Sequence, residues 1–98
     1  MPVYEIRKTD TYAEWFDGLR DIHARARVLA RVERLAAGNP GDVKSLGEGV
    51  SELRIDYGPG YRVYFTMRGR TLTILLAGGD KRTQTTDIKT ALRLARNL

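Results

Sequence analysis

Between Glu52 and Leu76 the apolar residues recur at every second position, and this period limits the fold more than any other feature of the chain. Leu53, Ile55 and Tyr57 alternate with Glu52, Arg54 and Asp56. Tyr61, Val63, Phe65 and Met67 alternate with Arg62, Tyr64, Thr66 and Arg68, and Leu72, Ile74 and Leu76 with Thr71, Thr73 and Leu75. A period of two sends successive side chains to opposite faces of a strand. Gly58-Pro59-Gly60 and Gly69 punctuate the three runs as tight turns. Three strands joined by short turns predict an antiparallel meander.

Upstream the pattern is helical. Val3 to Arg7 reads as a short strand, and Asp10-Thr11 offers an N-cap, with Thr11 and Glu14 spaced as a capping box. Tyr12, Trp15, Phe16 and Leu19 then fall at i, i+3, i+4 and i+7, the stripe of an amphipathic helix with an aromatic core face. Asp21 caps a second helix from Ile22 to Ala37 whose stripe is Ile22, Ala26, Leu29, Val32 and Ala36, widened by Val28 and Leu35. His23 sits beside that stripe, where partial exposure is expected. Gly38 and Pro40 stop the helix. Residues 38–49 are rich in glycine and read as a loop that carries Lys44. Gly78-Gly79-Asp80 ends the last strand. Ile88, Ala91, Leu92, Ala95 and Leu98 form the stripe of a closing helix, with Asp87 as a first-turn acid favoured by the helix dipole.

The layout is β-α-α-β-β-β-α, an α+β fold with an antiparallel twisted sheet and helices packed on one face, in a single domain over residues 1–98. The period assigns Leu53, Ile55, Val63, Phe65, Leu72 and Ile74 to the covered face. Arg54, Arg62, Tyr64 and Thr73 are then expected on the opposite face, away from the core.

Composition narrows the chemistry. The chain has 17 Lys+Arg against 12 Asp+Glu, a formal net charge of +5. Residues 1–49 hold eight basic and eight acidic groups, and residues 50–98 hold nine and four, so the surplus lies in the second half. A localised basic surface of this kind suits a polyanionic partner. Cysteine is absent and histidine occurs once, which excludes disulfides, thiolate chemistry and a multi-histidine metal site. No P-loop or dinucleotide fingerprint occurs. The longest apolar run, Ile74 to Ala77, is far short of the roughly 18 residues of a membrane span. The Met1-Pro2-Val3-Tyr4-Glu5 start has no apolar signal core, so a cytoplasmic location is expected. Arginine grips phosphate through two donors and tyrosine stacks or donates, so the Arg54, Arg62 and Tyr64 face, rimmed by Lys44, Lys81 and Arg82, is a candidate RNA surface. An exposed charged face that docks an acidic protein fits the same residues. Without cysteine, metal or a placed histidine, phosphoryl chemistry there rests on positioning and electrostatics.

The segments Leu46 to Phe65 (containing Glu-Leu-Arg-Ile and Tyr-Arg-Val-Tyr-Phe) and Leu75 to Gln84 (containing Gly-Gly-Asp-Lys) resemble the RelE/ParE toxin superfamily. The likeness is greatest to the HigB-type "addiction module killer protein" branch, which is related to phage-derived proteins. It extends over almost the whole chain. It implies the toxin of a type II toxin–antitoxin pair, held in a hetero-oligomer by a small helix-turn-helix antitoxin of HigA type. It further implies metal-independent, cofactor-free cleavage of mRNA on the ribosome, in which the 2′-hydroxyl attacks the adjacent phosphate. By motif, Arg54 and Arg62 fall where relatives bind phosphate, and Lys81 falls near further active-site groups. Lys44, Arg68 and Arg82 are the expected RNA contacts. Relatives that carry a histidine or tyrosine near the C-terminus have no counterpart here, since no aromatic residue follows Phe65. That leaves Tyr64 and Lys81 as the acid–base candidates. On the same superfamily fold, a ParE-like gyrase inhibitor and a non-enzymatic basic binding module of phage origin are the alternative readings.

Overall fold

The computed structural model describes residues 5–98. In chain order the elements are β1 (Glu5–Lys8), α1 (Asp10–Asp17), α2 (Ile22–Ala36), β2 (Val43–Gly47), β3 (Val50–Ile55), β4 (Tyr61–Arg68), β5 (Leu72–Gly79) and α3 (Gln84–Arg96). The strands make one five-stranded sheet in the order β1-β5-β4-β3-β2. β1 runs parallel to β5, and every other neighbouring pair is antiparallel. The α+β class and the meander stand as expected. Val3, where the first strand was expected to begin, lies outside the described residues.

The stretch expected to be a loop holds an edge strand. Val43 pairs with Leu53 and Lys44 with Glu52, so Lys44 belongs to β2 and not to a loop. An edge strand is hydrogen-bonded on one side only, so a short run between glycines suffices without strong β-formers.

Thr9, rather than Asp10 or Thr11, caps α1. Its hydroxyl accepts from the Tyr12 amide at 3.1 Å and donates to the Leu76 carbonyl at 2.6 Å. The second bond serves an irregularity in the sheet. Phe65 pairs with Leu75 but Tyr64 pairs with Ala77, which leaves Leu76 as an extra residue on β5. A bulged residue leaves its ladder, and Thr9 takes up the carbonyl so released.

Asp21 caps α2 as expected, accepting from the His23 and Ala24 amides at 2.9 and 3.3 Å. The buried face of α2 is Ala24, Val28, Val32 and Leu35, while Ile22 is 71% exposed and Leu29 is also exposed. Two apolar stripes overlap on this helix, and packing against the sheet uses the one centred on Val28. His23 is exposed.

The sheet has a core on each face. Tyr12, Val28, Leu35, Leu53, Ile55, Val63 and Phe65 fill one, under α1 and α2, with Trp15, Phe16 and Leu19 packed against it. Val50, Tyr64, Ile74, Leu76, Ala91 and Ala95 fill the other, under α3. The second face is therefore not bare. Leu72 and Ile74 pair with Arg68 and Thr66, which puts them on the face of Tyr64 and not of Leu53. The turn at Gly69 sets that register, and a period of two does not specify it. Leu98, the last position of the expected stripe on the closing helix, is exposed. Beyond the bulge, Gly78 lies under α1 and Gly79 under α3. A Cβ on Gly78 would overlap the Trp15 indole, and one on Gly79 would overlap the Asp87 carboxylate.

Candidate functional site

β3 and β4 pair so that Arg54 stands directly opposite Arg62, on the face covered by α3. Two like charges in that relation destabilise a sheet unless something intervenes. Glu52 intervenes. Its carboxylate is fully buried, with Oε2 at 3.0 Å from Arg54 Nε and 3.7 Å from Arg62 Nε. Its Oε1 accepts from Gln84 Nε2 at 2.6 Å, which ties the first residue of α3 to the pair. A buried carboxylate persists only with partners of this kind. The hydrogen bond to Glu52 in turn holds the Arg54 guanidinium above its ordinary pKa.

Arg62 is only 8% exposed. One η nitrogen donates to the Gly60 and Tyr61 carbonyls at 3.2 and 3.1 Å, and its Nε has no hydrogen-bond partner. The Gly58-Pro59-Gly60 turn brings the chain back beside it. Gly60, at φ 82°, admits the Lys81 side chain from the turn after β5, where a Cβ would stand 2.9 Å from Lys81 Cε. Arg54, Arg62 and Lys81 thus share one polar cleft of about 270 Å³, together with Asp42 and Asp56. A larger apolar groove of about 350 Å³, lined by Tyr12, Phe16, Leu29 and Val32, contains none of the expected site residues.

The other expected residues fall elsewhere. Tyr64 is fully buried beneath α3 and its hydroxyl has no partner. Burial first, and the Glu52 charge second, push its phenol well above the ordinary value of 10.0. Its place among the acid–base candidates is corrected on this ground: a side chain covered by a helix does not touch a ligand. Arg82 is exposed beside Lys81, but its guanidinium is bonded to Asp80 at 3.0 Å. That bond holds the Asp80 carboxyl below its ordinary range. Arg68 lies at the opposite end of β4, about 20 Å from Arg62 at the usual strand rise, and donates to the Ala95 carbonyl at 3.0 Å. It is set apart from the cleft. Lys44 is exposed on β2 and shares the face of Glu52, one row of the sheet from the cleft.

Sequence reasoning missed Glu52, Gln84, Asp42 and Asp56. Glu52 had a readable signal, since it shares the strand parity of Arg54. Asp42 had none: the Arg54 amide bonds to its carbonyl at 3.0 Å only because β2 forms. Among the described residues no helix is long and apolar enough to cross a membrane.

A family model described as "Phage derived protein Gp49-like (DUF891)" matches residues 14–98, which include every residue of the cleft. An uncharacterized protein of Haemophilus influenzae is 49% identical over 94 residues, covering 96% of this chain and 95% of that protein. No solved structure matches.

Proposed function

We propose, from the premise that the chain belongs to the Gp49-like family of phage-derived proteins, that it is the toxin of a toxin–antitoxin pair and acts as a metal-independent endoribonuclease on mRNA at the ribosome. The observation that carries this reading is the convergence of Arg54, Arg62 and Lys81, from β3, β4 and the turn after β5, on one polar cleft. Membership of a family of RelE/HigB-like type supports the same reading.

In the proposed reaction the 2′-hydroxyl attacks the adjacent phosphorus. The bond to the 5′-oxygen breaks, leaving a 2′,3′-cyclic phosphate and a 5′-hydroxyl. Arg54 and Arg62 hold the non-bridging oxygens as charge builds on them. Lys81, the exposed cation of the cleft, hands a proton to the departing 5′-oxygen. The proton of the 2′-hydroxyl passes to one of the cleft carboxylates, Asp42 or Asp56. A helix-turn-helix antitoxin is the partner that silences the chain.

Primer extension on mRNA from cells expressing the protein tests this. New 5′ ends within codons are expected with the wild type and are absent with Arg54→Ala. Growth arrest with intact mRNA and a DNA-damage response would overturn it in favour of gyrase inhibition. Normal growth under strong expression without antitoxin would overturn it in favour of a binding module.

A further inference from the structure

The Glu52 carboxylate is the one acidic group in contact with both arginines of the fork. It is completely buried, so it does not meet a ligand itself. It hydrogen-bonds Arg54 on its own strand and Gln84 on α3, and its charge faces Arg62 on β4 at 3.7 Å. With Glu52 behind the arginines and Asp42 and Asp56 on the cleft wall, three carboxylates stand against the three cations Arg54, Arg62 and Lys81. Next to the cleft, Arg82 is matched by Asp80, and Asp87 accepts from the Thr83 hydroxyl, so neither pair adds a free cation to it. The cleft is therefore rich in directed donors yet nearly balanced in charge. Donors without surplus charge recognise a phosphate by its oxygens and gain little from a second negative charge on it.

We infer that Glu52 is a positioning residue that also sets specificity: it fixes the opposed Arg54 and Arg62 guanidiniums as a preformed fork and cancels one of their charges. The cleft consequently gains little from the second charge of a phosphomonoester and takes a singly charged phosphodiester at least as well. The inference rests on the reading of this cleft as a phosphate site, and it does not require that the chain cleave RNA.

The test uses two small probes on the full chain, with binding followed through the Arg54 and Arg62 Nε–H signals by NMR. One probe is 2′-O-methylated UpU, which carries a single diester charge and is not cleaved. The other is uridine 3′-monophosphate, whose second proton leaves at a pKa of about 6. Wild type is expected to bind the diester at least as tightly as the monoester at pH 7.5. Its affinity for the monoester is expected to change less than about twofold between pH 5 and pH 7.5, as the second charge appears. Glu52→Gln is expected to shift the affinity ratio about fivefold or more towards the monoester, and Glu52→Asp to restore the wild-type ratio. Gln84→Ala keeps the charge, so it should weaken both probes while leaving the ratio unchanged.

An unchanged ratio in folded Glu52→Gln would overturn the assignment. If that variant does not fold, the wild-type pH series decides, and a tenfold tightening on the monoester overturns the assignment there. Failure of either probe to move the Arg54 and Arg62 signals overturns it as well. Intact mRNA in expressing cells, together with the expected affinity ratio and its shift in Glu52→Gln, sinks the ribonuclease reading and leaves the role of Glu52 standing.

Discussion

Arg96, in the last turn of α3, holds Glu48 by two hydrogen bonds of 2.9 Å each, and Glu48 is the one non-glycine residue at positive φ (55°) among the described residues. The pair fastens the β2–β3 turn to the helix that covers the cleft's face of the sheet. Both partners are exposed, so salt screens the attraction. The bond to Arg96 holds the Glu48 carboxyl below its ordinary 4.5. A depressed folded-state pKa contributes stability that is present above the unfolded value and lost as pH falls through the folded one. Arg96→Ala is therefore expected to lower Tm slightly at neutral pH. The difference from wild type should vanish near pH 3 and in about 1 M salt. Thermal melts across that grid check this, and a difference that survives both conditions would count against it.

Gly78 has no room for a side chain. A methyl group there would meet the Trp15 indole, and that ring packs in turn against Tyr12 and Tyr61 at centroid distances of 5.7 and 6.4 Å. Overpacking of this sort costs about 1–3 kcal/mol or more, which lowers Tm by roughly 4–8 °C per kcal/mol in a domain of this size. Gly78→Ala should show that loss, and Gly78→Ala combined with Trp15→Leu should recover part of it. Additive losses in the double variant would show that the two sites do not press on each other.

The unpartnered hydroxyl of Tyr64 is a liability to the folded state and of no use to the cleft. Removing a buried, unsatisfied polar group is neutral or stabilising, by up to about 1 kcal/mol. Tyr64→Phe should thus keep or raise Tm and leave the proposed mRNA cleavage unchanged; a large loss of that cleavage at full stability would restore the tyrosine to the chemistry. At high pH the phenols report the same burial. Desolvation pushes Tyr12 up to about 12 and Tyr64 higher still. A raised folded-state pKa contributes stability that is fully present below the unfolded value of about 10 and is lost as pH climbs through the folded one. Alkaline unfolding is expected to begin above pH 10, and Tyr64→Phe should move its midpoint upward.

Lys81 and Arg68 separate function from stability. Lys81 is exposed and lines the cleft, so Lys81→Ala should lower the proposed cleavage by about 10²-fold or more with little change in Tm. Arg68 caps the end of α3 through Ala95, far from the cleft. Arg68→Ala should lower Tm by a few degrees and leave cleavage intact. Single-turnover cleavage on programmed ribosomes, read beside melting curves, distinguishes the two. The reverse pattern would show that the basic surface at the far end of β4, not the cleft, engages RNA.

The meander was legible because the period of two between Glu52 and Leu76 has few other physical solutions. Arg54 and Arg62 were placed on one face for the same reason, and the structure keeps them together. Three things were not written in the period. Val43 to Gly47 lacks the density of β-branched and aromatic residues that marks a strand, and it pairs only through the partner that β3 supplies. The faces of Leu72 and Ile74 depend on the register set at Gly69 and on the extra residue Leu76, and neither shows in a single run. Tyr64 looked exposed because the stripe of α3 was assigned to the face already covered, when its small residues Ala91 and Ala95 in fact sit on the other. Glu52 was passed over because a lone glutamate in an alternating strand ordinarily faces water.

β1 docks in parallel against β5, and Thr9 reaches Leu76 across 67 residues of chain. Contacts that distant incur the entropy of closing the intervening loop before they return anything, and they slow folding. The meander can form early from local hairpins, whereas β1 and α1 have no docking edge until β5 exists. During synthesis, residues 72–79 of 98 must leave the ribosome before the N-terminal strand has a partner, and Gln84 must follow before Glu52 has its full set of bonds. The Gln84 bond that braces the arginine fork is thus among the last contacts to form. The proposed cleavage therefore has to wait until α3 has docked over the β3–β4 hairpin.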